Sequence, residues 1–135
     1  MAYKVIEIEG IGAVFAGKLE EAGIKTTDDL LDAGATPKGR ETLAEKTGID
    51  KTRILRWANM ADLMRISGVG EEYSDLLEAA GVDTVKELRT RNAENLYTKM
   101  KEVNEAKNLV RALPSEADVE KWVAQAGELD PKLSY

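Results

Sequence analysis

A chain of 135 residues with 43% apolar and 33% charged side chains can bury a core the size of one ordinary domain or two very small ones, and is too apolar for general disorder. With neither Cys nor His, it excludes disulfides, thiolate zinc sites, imidazole haem ligation and Ser-His or Cys-His catalysis. The net charge of −6 opposes polyanions overall, although a local basic patch can escape that average.

Residues 1–10 lack the apolar core of a signal peptide, and no run approaches the roughly 20 apolar residues of a membrane span. A cytoplasmic protein without membrane contact is the expectation. Residues 3–8 are the one candidate for an extended segment. After Gly12, the residues Phe15, Ala16, Leu19 and Ala22 fall at helical spacing, and Gly23 sits where a left-handed C-terminal residue belongs. Thr26 with Asp29 is a weaker capping box opening a short helix through Leu30 and Leu31. Thr36-Pro37 opens a helix to about Thr47, before Gly48. Asp50 can cap a longer helix to about Arg65 whose apolar residues, from Ile54 and Trp57 to Leu63 and Met64, cover so much of its circumference that it needs burial on more than one side. That places it between two halves of the molecule.

Beyond Gly70, Tyr73, Leu76, Leu77 and Ala80 repeat the helical spacing and lead to Gly81. Thr84 with Glu87 makes the stronger capping box. Asn92 can cap a helix bearing Leu96, Met100 and Val103 that continues or bends toward Leu109, Val110 and Leu113 until Pro114 ends it; Ser115 with Asp118 then caps a last helix through Trp122 to about Leu129. Asp130-Pro131 closes the ordered part. The fold should be all-α.

The chain also matches itself. Residues 8–30 align without gaps on residues 66–88, with nine of 23 pairs identical, among them Gly10/Gly68, Gly12/Gly70, Leu19/Leu77, Gly23/Gly81 and Thr26/Thr84. Ile11/Val69 and Phe15/Tyr73 keep size and character. Trp57 and Trp122 each open the last stretch of a helix, so the halves are 1–63 and 64–135. The first carries nine basic and eleven acidic residues, the second ten and fourteen, which makes the first less repulsive to phosphate.

The repeated Gly-Ile-Gly and Gly-Val-Gly, each followed by a helix, an Ala-Gly exit and a Thr-initiated helix, resemble the helix-hairpin-helix motif. The order of these pieces is similar, over essentially the whole chain, to a prokaryotic domain-of-unknown-function family of tandem helix-hairpin-helix proteins. The resemblance implies two tandem (SAM-like) repeats packed through a central linking helix. It implies that the glycines permit a turn unfavourable to a residue with Cβ, that the apolar residue between them enters the core, and that a DNA-binding hairpin offers backbone N–H groups and a helix N-terminus to a phosphate. Such binding is blind to base sequence.

Here Gly12 is followed by Ala13-Val14 and Gly70 by Glu71-Glu72, where DNA-binding hairpins often carry a basic residue. Two carboxylates satisfy the helix dipole and repel phosphate, so Gly68, Val69 and Gly70 read as a structural hairpin. The candidate nucleic-acid residues are Gly10, Ile11, Gly12, Lys18, Lys38, Arg40 and Arg53, supported by a cluster in which Lys38, Arg40, Lys46, Lys51, Arg53 and Arg56 outnumber Glu41, Glu45 and Asp50. A ligand-free turn and an ordinary solvated helix surface explain the same residues. Trp57 and Trp122 read as packing rather than base-stacking residues.

Two functions follow: a binding module that contacts DNA through the first hairpin, or an interaction module for another protein, which the acidic balance and the missing basic residue fit as well. An enzyme is not expected. Paired acids such as Asp28-Asp29 and Glu71-Glu72 are helix-start residues without metal-ligand geometry, and no cofactor is implied.

Overall fold

Eight α-helices carry the chain in the computed structural model, which describes residues 3–135: α1 Ala13–Glu21, α2 Thr27–Ala33, α3 Pro37–Thr47, α4 Lys51–Leu63, α5 Glu71–Ala79, α6 Val85–Leu88, α7 Ala93–Lys107 and α8 Glu116–Glu128. The fold is all helical. Residues 3–8 form no strand: Val5–Glu7 make one 3-10 turn, and the segment lies along residues 25–27 through Val5 N–H to the Lys25 carbonyl and an isolated bridge between Lys4 and Thr26.

Side-chain caps start five of these helices. Thr26 Oγ1 accepts from Asp29 N–H while the Asp29 carboxylate accepts from Thr26 N–H, each at 3.1 Å, so the box expected to be the weaker is complete. The Thr84 box closes on one side only, because the Glu87 carboxylate turns to Arg91, 2.7 Å away. Thr36, Asn92 and Ser115 cap as their positions predict, whereas Asp50 precedes α4 without a side-chain cap bond.

The matched segments repeat their geometry bond by bond. Ile11 N–H donates to the Ile8 carbonyl as Val69 does to Ile66, and Ile24 to Leu19 as Val82 does to Leu77. Gly10 and Gly68 hold φ of +96° and +91°, and Gly23 and Gly81 hold +86° and +96°. The correction lies at the second glycine of each Gly-X-Gly: Gly12 (φ −90°) and Gly70 (φ −110°) are extended caps with room for a Cβ, so within each Gly-X-Gly the left-handed position is the first glycine, Gly10 or Gly68.

Two hydrophobic cores result. Val5, Ile8, Ile11, Leu19, Leu30, Ile54 and Trp57 belong to the first, and Ile66, Val69, Leu77, Leu88, Met100, Val119 and Trp122 to the second. Near the end of α4 the chain contributes to both: Met60, Ala61 and Met64 enter the first core and Leu63 the second. Asp62, 1% exposed, sits between them, accepting from Val85 N–H at 2.8 Å and from Arg65 at 2.6 Å. Asp130-Pro131 does not close the ordered part, contrary to the expectation: residues 130–135 run back over the first core, against which Leu133 packs.

Candidate functional site

At the first hairpin, Gly10 turns the chain over the indole of Trp57. A Cβ on Gly10 would lie 3.5 Å from Trp57 Nε1 and 3.5 Å from Arg56 Nη1, so backbone and α4 meet there without an intervening side chain. Phe15 leans on the same indole, ring centroids 5.2 Å apart and planes tilted by 59°. The second hairpin has the same construction: Gly68 against Trp122 Nε1, with Tyr73 tilted on that indole at 5.2 Å. Both tryptophans are buried, 2% and 4% exposed, and act as packing residues.

The N-terminus of α1 is open. Its first intrahelical bond is Ala16 N–H to the Gly12 carbonyl, and among the described residues no acceptor meets the N–H groups of Gly12, Ala13, Val14 or Phe15. Ile11 serves the turn in another way: its side chain is 5% exposed and its N–H is bonded to Ile8. Around Phe15 stand two cations, the Arg53 guanidinium 5.1 Å and the Lys18 ammonium 6.0 Å from the ring centroid. Lys18 also shares a surface recess with Lys46 and Glu21, and Lys46 with Lys38 borders a groove of about 370 Å³ floored by Ala22, Ile24, Ala33 and Leu43. A basic track thus runs from Arg53 through Lys18 and Lys46 to Lys38. None of the four forms an ion pair among the described residues.

Arg40 does not join it. It is 5% exposed, and its guanidinium donates to the Gly34 carbonyl and the Ser134 carbonyl, each at 2.7 Å, with burial pressing its pKa down. Lys46, which the sequence places in the basic cluster but not among the candidate nucleic-acid residues, takes its place in the track. Its signal is the eight-residue spacing from Lys38, two helical turns along one face, whereas Arg40 lies two residues off that face. Arg56, three residues from Arg53, is closest to the hairpin but is engaged by Glu78 at 3.1 Å and Asp75 at 3.5 Å.

Carboxylates crowd the second hairpin. Glu72 does not cap α5 but holds Arg111, accepting from its N–H at 3.1 Å and from Nη2 at 3.0 Å, which lowers the Glu72 pKa. Burial, then the Glu9 carboxylate, with Glu72 and Glu7 behind it, push the Glu71 carboxyl above its ordinary range. A shallow groove of about 550 Å³ lies here, lined by Gly68, Gly70, Tyr73, Val110 and the Glu72–Arg111 pair. If the helices carrying Trp57 and Trp122 are aligned on those residues, Asp118 stands where the first half has Arg53.

A family model described as a domain of unknown function, DUF4332, matches residues 9–129. The chain belongs to this family. The match spans both hairpins, both tryptophans and all eight helices, so the DUF4332 unit includes the two matched segments together. No curated protein and no solved structure matches the chain. Among the described residues no group of carboxylates is arranged to hold a metal ion, and no helix is long and apolar enough to cross a membrane.

Proposed function

We propose that this protein is a non-enzymatic binding module of two tandem helix-hairpin-helix units, the first of which binds the phosphate backbone of DNA without regard to base sequence. The observation that carries this reading is the contrast between the two hairpins: the α1 N-terminus is open and flanked by Arg53 and Lys18, whereas the α5 N-terminus is crowded by Glu71, Glu72 and Glu9. A phosphate at Gly12 to Val14 would meet unpaired N–H groups, a positive helix end and two cations without ion-pair partners. The track to Lys46 and Lys38 would lead the strand away from the acidic junction.

A protein partner is the second reading. Val14, 72% exposed at the start of α1, and Ile6, 48% exposed, put apolar surface near the first hairpin, which a polypeptide would cover better than a phosphate.

Titration of the chain with duplex and single-stranded DNA across a salt series separates the two. Each phosphate contact steepens the slope of log affinity against log salt by about 0.9 on duplex, so one or two contacts predict a shallow slope and affinity no better than micromolar. No salt-dependent binding at low ionic strength rejects the DNA reading and leaves the protein partner.

A further inference from the structure

Residues 130–135 have no regular secondary structure, yet contacts at Asp130, Leu133, Ser134 and Tyr135 hold them against the rest of the chain. Two arginines grip the backbone of this segment: Arg65 Nη2 donates to the Asp130 carbonyl at 2.9 Å, and Arg40 Nη2 to the Ser134 carbonyl at 2.7 Å. Ser134 N–H donates to the Ala35 carbonyl at 2.8 Å, so both main-chain groups of Ser134 are read. Leu133 packs against the first core, the Tyr135 ring lies 5.7 Å from the Arg40 guanidinium carbon, and its hydroxyl donates to Asn59 Oδ1 at 2.9 Å.

Arg40 makes this more than a resting place for a loose segment. Its guanidinium is buried and one arm is already fixed on Gly34, so the other arm needs an acceptor where Ser134 now lies; a buried cation left short of acceptors is costly. Main-chain bonds that hold an extended segment while side chains on either side select it are the physics of peptide recognition.

We propose that Arg40, Ala35 and Asn59 form a peptide-recognition site for an extended segment with an apolar side chain two residues before a tyrosine, and that residues 130–135 occupy it as a releasable strap. Only Leu133 of the strap reaches the core; Ser134 and Tyr135 are exposed, and none of the six residues lies in a helix. The strap therefore ties the end of α8 to the first core through contacts that a competing peptide can replace.

The test uses the full chain and a fluorescent peptide with the sequence of residues 130–135, its ends blocked. Peptide affinity falls with the fraction of molecules whose site is open, so unseating the internal strap must raise it. Leu133→Asp and Tyr135→Ala should each bind the peptide at least tenfold more tightly than the wild type, and Arg40→Lys added to either should return affinity to the wild-type level. Should Arg40→Lys lose helicity by circular dichroism, Asn59→Ala replaces it, with an expected loss of threefold or more. Equal affinity in the wild type and both strap variants overturns the proposal, as does a gain that neither Arg40→Lys nor Asn59→Ala reduces.

Discussion

Gly10 and Gly68 occupy a backbone region that costs an L-residue roughly 1–2 kcal/mol, and each lies against an indole nitrogen. Gly10→Ala should lower stability by about that amount. Gly68→Ala should cost more, because its Cβ would come within 3.3 Å of Trp122 Nε1, closer than the 3.5 Å at Gly10. Gly12 is different: its extended conformation and open surroundings admit a side chain, and as the N-cap of α1 a serine there can accept from the unpaired N–H groups. Gly12→Ser should stabilise the chain by about 0.5 kcal/mol through the cap and the stiffer unfolded chain, while weakening any phosphate bound at the same N–H groups. Denaturant midpoints check the first effect and DNA titration the second; a destabilised Gly12→Ser chain would show that this glycine is needed for its conformation after all.

The basic track depends on how helices meet. Arg53 on α4 and Lys18 on α1 converge because Phe15 of α1 packs against Trp57 of α4 with both cations over its ring, and Lys18 meets Lys46 in a recess between α1 and α3. All four cations are exposed and lack ion-pair partners, so reversing their charge should leave stability within about 0.5 kcal/mol. On DNA, Lys18→Glu and Arg53→Glu should each weaken binding and flatten the salt slope by about one contact, with Lys46→Glu having a smaller effect further from the hairpin. Arg40→Lys should leave the slope unchanged, since its guanidinium is directed into the protein. A slope that responds equally to Arg40 and Lys18 would contradict the track.

At the scale of the molecule, two cores share α4, and the junction beside it is acidic. Arg56 on α4 holds Asp75 and Glu78 on α5, while Glu9 of the first hairpin faces Glu71 at the start of α5. Burial, then Glu9, raises the pKa of Asp75 against the opposing pull of Arg56. Because Glu71 also has a raised folded-state pKa, it favours the folded chain when protonated, at pH below its ordinary 4.5, and that support is lost as pH rises through the raised value. Glu71→Gln mimics the protonated form at every pH. The variant should therefore be more stable than the wild type at pH 7, by about 0.5 kcal/mol given the screening of an exposed carboxyl, and no more stable at pH 3.5. Thermal or denaturant midpoints at the two pH values decide it; a constant difference would remove the junction repulsion from the account.

Sequence alone determined the all-helical fold, most of the caps, the duplication and the burial of Trp57 and Trp122, because these follow from spacings of three to four residues and from a constant offset between the halves. It also located both Gly-X-Gly turns, but treated both glycines of each pair as required by the turn where only the first is left-handed, since Gly-X-Gly does not say which φ is positive. Tertiary structure decided which charges are available. Lys38 and Arg40 look alike in a list of basic residues, yet one borders an open groove and the other is buried under the strap, because α3 turns them to different faces and only packing assigns a face to solvent. The meeting of Glu9 with Glu71 and the return of residues 130–135 to Arg40 join positions 62 and about 90–95 residues apart. Local patterns fix the helices; the balance of charge and burial at those meetings depends on how the helices are brought together.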